Sequence, residues 1–164
     1  MKNEASEDLG IYLKDHYAAA VGAVDLLGHL SDAHNNKPLG TFFRDLLAEV
    51  KADHDRLHDI MKALGIEDSP MRNAGAWLAE KFGLGKLEFG GGETSGIRLI
   101  QALETLTIGI TGKLLLWRTL KAAQQIASLL PQIDFDQLTL SAQEQIEEVE
   151  AERLDAARKT FPAL

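Results

Sequence analysis

The chain has 164 residues, 45% of them hydrophobic, a net charge of −8 and no cysteine. Its length fits one domain spanning residues 1–164, able to bury roughly 70% of the surface its unfolded form exposes, and the missing thiols exclude disulfides, cysteine nucleophiles and thiolate-held zinc or iron–sulfur clusters. The acidity is uneven, with eight acids against Arg153, Arg158 and Lys159 from Asp134 to Leu164, and a chain without a basic stripe gains nothing from counterion release on nucleic acid, so no such partner is expected.

Met1 to Asp15 mixes Lys2 with Glu4, Glu7 and Asp8 and lacks an apolar run, so no signal peptide is expected. Leu13, Tyr17, Ala20, Val24, Leu27 and Ser31 then recur every three or four positions, which predicts a first helix over about Leu9 to Ser31 with Asp8 as its cap. Asn35, Asn36, Lys37 and Pro38 form a short polar turn that makes the next helix an antiparallel neighbour. The second stripe runs through Phe43, Leu46, Leu47, Val50, His54, Leu57, Met61 and Leu64, and Gly65 closes it.

From Ile66 to Ser95 the pattern weakens, and Gly90, Gly91, Gly92 and Gly96 mark turns or close backbone approach. A short helix around Arg72 to Phe82, presenting Trp77 and Phe82, would make this connection a partly helical crossover that lets the second and third helices run the same way. The third helix, capped by Thr94 or Ser95, has one apolar stripe at Leu99, Leu103, Leu106, Ile110, Leu114 and Trp117. A second row at Ile97, Ile100, Ile108, Leu115, Ala122 and Ile126 needs another cover, either the crossover or a second copy of the chain, so a homodimer through this helix is expected. Pro131 ends the segment, and Asp134 or Asp136 starts a fourth helix with Leu138, Ala142, Gln145, Val149, Glu152, Ala156 and Thr160 facing inward. The longest uncharged run, Ala122 to Ile133, is shorter than the roughly 18 apolar residues of a membrane span, so a cytoplasmic protein without a membrane partner is expected.

The stripes describe an all-α four-helix bundle. Asp15-His16-Tyr17, the run Asp53 to Leu57, Glu104-Thr105-Leu106 with Gly109, Gly112-Lys113 and Leu116-Trp117, and the run Val149 to Leu154 together resemble the ferritin-like superfamily, more closely its uncharacterised bacterial ferritin-like proteins. The resemblance touches all four helices. It implies a ferritin-like bundle and, in the family's metal-loaded members, a di-iron centre built from one glutamate on each of two helices and a Glu-x-x-His pair on each of the others.

This chain departs from that pattern. The first helix offers Asp15 and Asp25 outside its core stripe, the second has Asp55-x-x-His58, and the fourth has Glu144, Glu147, Glu148, Glu150 and Glu152 but no histidine. Only Glu104 resembles a bridging carboxylate, against a need for about six ligands. His54 and His58 stand four apart, the spacing at which two imidazoles chelate one ion. With Glu104 or Glu152 they form the candidate set for iron, manganese or zinc. The competing reading makes His54 a core histidine bonded to an acidic neighbour and His58 a partly exposed one. His16 and Tyr17 are candidates for a polar pocket near the head of the first helix.

Lys113 falls on the core stripe of the third helix and needs an inward partner, for which Glu152 is the natural candidate, with Glu150 and Arg153 nearby. The expectation is an internal charge network where a metallo-bundle would hold iron, with no cofactor. Gly109 and Gly112 read as sites of close helix approach, and no P-loop, serine elbow or Cys-His pair is present. The function expected is a non-redox interaction or small-ligand binding module, and the alternative is a metal-dependent oxidase or stress-protection protein. No complete catalytic constellation marks the chain as an enzyme.

Overall fold

The computed structural model describes residues 4–67 and 96–162. Every described element is helical: α1 (Glu4–Ala33), α2 (Pro38–Ala63), α3 (Gly96–Ala122), the short α4 (Gln124–Ser128) and α5 (Phe135–Thr160). They fall into two compact units, one within Met1–Lys86 and the other within Leu87–Leu164. The expected crossover helix with Trp77 and Phe82, the glycines Gly90 to Gly92 and the caps Thr94 and Ser95 lie outside the described residues.

In the first unit α1 packs on α2. The link is as short as its composition implies, because Asn36 adopts the left-handed conformation (φ 63°) that asparagine tolerates and Lys37 N–H closes back onto the His34 carbonyl at 3.1 Å. Pro38 opens α2, where its missing N–H costs nothing. A Cβ at Gly40 would overlap the His34 carbonyl, so this turn closes around a glycine. At the far end Gly65 is left-handed (φ 67°), and Ile66 N–H reaches the Met61 carbonyl at 2.9 Å while Gly65 N–H reaches Lys62 at 3.1 Å, the two bonds of a Schellman cap.

The first helix starts earlier than its stripe suggested, and Asp8 lies inside it rather than capping it. Its buried face also differs. Leu13, Leu27 and Ser31 are buried as expected, but Tyr17, Ala20 and Val24 are only half-buried, and the row Ala18, Gly22, Leu26 and Leu30 is buried instead. Alanine and glycine carry too little hydrophobicity to mark that row in a sequence, yet they permit close packing wherever it occurs. On α2, Phe43, Leu46, Val50, Leu57, Ile60 and Met61 form the core side.

In the second unit α3 packs along α5. Asp134 caps α5 by accepting Gln137 N–H at 3.0 Å, which resolves the two candidate start residues. Ala142, Gln145, Val149 and Ala156 are buried in the expected register, with Phe135 added at the start. α3 buries its expected stripe from Leu103 through Trp117 together with Ile100, Ala102, Leu116 and Leu120. The second apolar row therefore divides. Ile100 joins the core, whereas Ile97, Ile108 and Leu115 stay about half exposed.

Three threonines on this apolar helix, Thr105, Thr107 and Thr111, satisfy their hydroxyls by donating to the carbonyl four residues back. That tolerance lets α3 stay apolar over most of its circumference. Although Glu104 and Lys113 interrupt it, an 18-residue window reaches a mean hydropathy of 1.4, long and apolar enough by length and composition to cross a membrane. A core helix of a soluble protein passes the same test.

Candidate functional site

Polar chemistry gathers at one place in each unit. In the first, Tyr17 projects from α1 between two imidazoles of α2. Its ring stacks on His54, with centroids 4.7 Å apart and planes at 29°, and tilts against His58 at 5.9 Å. One helical turn separates the two histidines, so a single flat ring on the facing helix meets both. His54 Nδ1 donates to the Asp55 carboxylate at 3.1 Å, and its side chain is 19% exposed against 67% for Asp55. The acidic neighbour expected for His54 is thus Asp55 on its own helix.

His16 and Tyr17 do not share a pocket. The His16 ring meets Tyr12 edge-on, centroids 4.6 Å apart, one turn along the same helix, while Tyr17 faces α2. Adjacent helical residues point about 100° apart, which is why the pair separates. Burial pushes the His16 pKa below the ordinary imidazole value of 6.5, against the opposing pull of Asp15. Asp25 is exposed, and its backbone carbonyl accepts His29 Nδ1–H at 2.7 Å. Sequence reasoning passed over both His29 and His34, and of these His34 is the buried one. It is 7% exposed at the end of α1, its Nδ1 donates to the Leu30 carbonyl at 2.9 Å, and its ring lies 5.5 Å from Phe43.

In the second unit the central feature is Lys113. Its Nζ donates to Oε1 of Gln145 at 2.5 Å, and Gln145 is 1% exposed. The residue that receives this bond is the buried amide, not Glu152, which sits two turns further along α5, half-buried. Glu152 acts electrostatically on Lys159, whose pKa is held above the ordinary value first by its hydrogen bond to Asp155 and then by these charges. One turn beyond Lys113, Trp117 is 1% exposed, and among the described residues nothing accepts a hydrogen bond from its indole Nε1.

Arg153 completes a separate, more exposed group. It grips Glu150 with two hydrogen bonds, Nε at 2.6 Å and Nη2 at 2.8 Å, and its Nη1 lies 3.8 Å from Glu104. The fork lowers the Glu150 pKa and raises that of Arg153. Glu104, proposed from sequence as a metal bridge, is 52% exposed and belongs to this cation. Near the end of α3 an open cleft of about 440 Å³ is lined by Arg118, Lys121, Gln124, Asp136 and Thr139, with Lys121 bonded to Asp136 at 2.5 Å across it.

All five histidines lie between His16 and His58, so an imidazole ligand would come from α1, α2 or the turn between them, and α3 and α5 could add only carboxylates. Among the described residues no three histidine or carboxylate side chains gather as a metal-binding group. Of the four candidate metal ligands, His54 and His58 belong to the first unit, and Glu104 and Glu152 to the second.

Gly109 and Gly112 also depart from their expected role. A Cβ built at either meets nothing within 4 Å among the described residues, so no described helix approaches them closely. Comparison with protein-family models, with curated proteins and with solved structures returned no match to the chain.

Proposed function

We propose that this protein is a ferritin-like bundle that has exchanged redox metal chemistry for small-ligand binding, a cytoplasmic module that takes its ligand within the α3–α5 pair and needs no cofactor, membrane or nucleic acid. The observation that supports this most is the Lys113–Gln145 pair. Gln145 is buried and Lys113 half-buried, and a cation and an amide drawn toward a helical core cost stability unless their polar atoms are satisfied, so that replacing such a pair with apolar residues is commonly neutral or stabilising. A polar pair kept there has a reason outside folding, and recognition of a ligand supplies one.

Unfolding temperature measured across small metabolites grouped by charge and size tests the reading. A ligand present at a hundred times its Kd stabilises by about 2.7 kcal/mol, which is several degrees for a domain of this length. If no compound raises the transition, and freshly purified and exhaustively dialysed protein melt alike, the binding module fails.

A second reading, a metal-dependent oxidase or stress-protection protein, has in its favour the His54 and His58 pair around Tyr17. Elemental analysis after supply of iron(II), manganese or zinc separates the two. Stoichiometric metal with oxygen uptake that His54→Ala abolishes favours the oxidase.

The partner proposed is a second copy of the chain. Ile97, Ile108 and Leu115, each about half exposed, lie along one line of α3. Ile108→Glu then yields monomers in sedimentation where the unaltered chain gives dimers, and an unchanged sedimentation coefficient removes the dimer through α3.

A further inference from the structure

We propose that the open cleft at the end of α3 binds a small monocarboxylate, with the Arg118 guanidinium gripping its two oxygens and Gln124 and Thr139 holding the same head group. This deepens the binding-module reading and rests on it, since the cleft lies within the α3–α5 pair to which that reading assigns the ligand. Contacts along the pair fix its register. Arg153 meets Glu104 in the first half of α3, Lys113 meets Gln145 beyond it and Lys121 meets Asp136 at the end, so the two helices run antiparallel. Arg118 and Lys121 stand three residues apart on one face of α3, as Asp136 and Thr139 do on α5. One turn back from the Lys121–Asp136 bond, Arg118 comes level with Thr139, and both line the cleft of about 440 Å³.

The partner at each level decides the chemistry. Lys113, Lys121 and Arg153 each meet an acceptor across the pair, whereas Arg118 stands opposite a hydroxyl. Among the described residues no hydrogen bond or ion pair engages the Arg118 guanidinium, the Gln124 amide or the Thr139 hydroxyl. Thr139 is the informative one. Thr105, Thr107, Thr111 and Thr160 all donate to the carbonyl four residues back, but Thr139, half-buried at the cleft, does not. Lys121 is accounted for by the last turn of α3, where a cation suits the helix dipole, and by Asp136. Arg118, one turn earlier, is accounted for by neither. Its planar fork of donors matches the two oxygens of a carboxylate. Two cations against one acid leave a single positive charge on the lining, which one carboxylate neutralises. A dianion would add charge beside Asp136 in a chain already at −8. The volume falls within the roughly 300–1,000 Å³ of small-molecule sites.

The test follows two ¹H–¹⁵N resonances of the full chain, the Arg118 side-chain Nε–H, assigned by its loss in Arg118→Lys, and the Thr139 backbone amide. Propionate, inorganic phosphate and propylammonium are titrated separately against sodium chloride at constant ionic strength. Propionate shifts both resonances saturably, phosphate does so more weakly, and propylammonium does not. Read at Thr139, Arg118→Lys weakens the propionate response about tenfold or more, because the ammonium keeps the charge but loses the fork. Arg118 is exposed, so its variants remain folded. Phosphate binding more tightly than propionate overturns the monocarboxylate class, and an undiminished response in both Arg118→Lys and Arg118→Met overturns the site. No shift with any of the three overturns it as well. The metabolite melting series repeated on Arg118→Met separates this failure from that of the module, since a compound that raises both transitions equally sustains the module and removes the cleft as its site.

Discussion

The two helical pairs solve the same problem, a polar group inside an apolar interface, with different chemistry. The first unit holds all five histidines and both tyrosines, and the second holds neither. In the first, polarity is carried by rings that can be neutral: Tyr17 against His54 and His58, Tyr12 against His16, His34 against Phe43. In the second it is carried by fixed charge, Lys113 on Gln145 and Arg153 on Glu150 and Glu104. A neutral ring is cheap to bury but changes state near neutral pH, whereas an ammonium or guanidinium keeps its charge and must be given acceptors. His16, whose pKa burial lowers, ties the first pair to pH, and in the second pair Gln145, Glu150 and Glu104 answer the fixed charges.

Four measurements sharpen or break this contrast. The largest effect should be shared. Leu57→Ala in α2 and Leu103→Ala in α3, at 2% and 0% exposure, each cost about 2–5 kcal/mol in chemical denaturation. If one is nearly silent, the pairs differ in apolar packing as well as polar chemistry and the contrast is misplaced.

Next in size is Lys113→Met, which strips the ammonium from an amide that is 1% exposed. A hydrogen bond to a charged group contributes about 1.5–3 kcal/mol, so destabilisation in that range is expected in urea. An unchanged or raised midpoint shows the pair to be dispensable.

The third effect is on pH dependence. Because burial lowers the folded pKa of His16 below 6.5, the unfolded chain takes up the proton first as pH falls. His16 therefore contributes stability that is present above pH 6.5 and is lost as pH falls from there through its lowered folded value. His16→Gln should flatten that part of the profile of unfolding temperature against pH. An equal slope in both proteins would remove His16 as its source.

The smallest effect is Arg153→Met, for which the readout is the Glu150 carboxyl. Carbon-detected titration should show its pKa rise toward the ordinary value once the guanidinium fork is gone. A Glu150 titration that does not move would mean the fork does not persist in solution.

Much of the helical layout was legible from residue order. Periodicity located α2, α3 and α5 and the register of Ala142, Gln145, Val149 and Ala156, because large apolar side chains at three- and four-residue spacing leave one face to bury. The turn at Asn36 and the cap at Gly65 were equally readable, since few residues accept a positive φ. The sequence grouped Glu150 and Arg153 with Lys113 and Glu152, and it is the contact between Arg153 and Glu150, within one helix, that the fold shows.

What sequence could not decide are the choices that depend on rotation and reach. Ala18 and Gly22 join the buried face of α1 without any hydrophobic signal. Ile100 and Ile108 look alike in a row, yet one is buried and the other is half exposed. Lys113 announced that it needed an inward partner, and Gln145, two turns before Glu152 on α5, accepts a hydrogen bond from it. Local spacing fixes which residues share a helix face, since that geometry is set by the backbone alone. Which member of a facing helix lies within 3 Å is set by the packing of whole side-chain layers, and only the tertiary structure contains that.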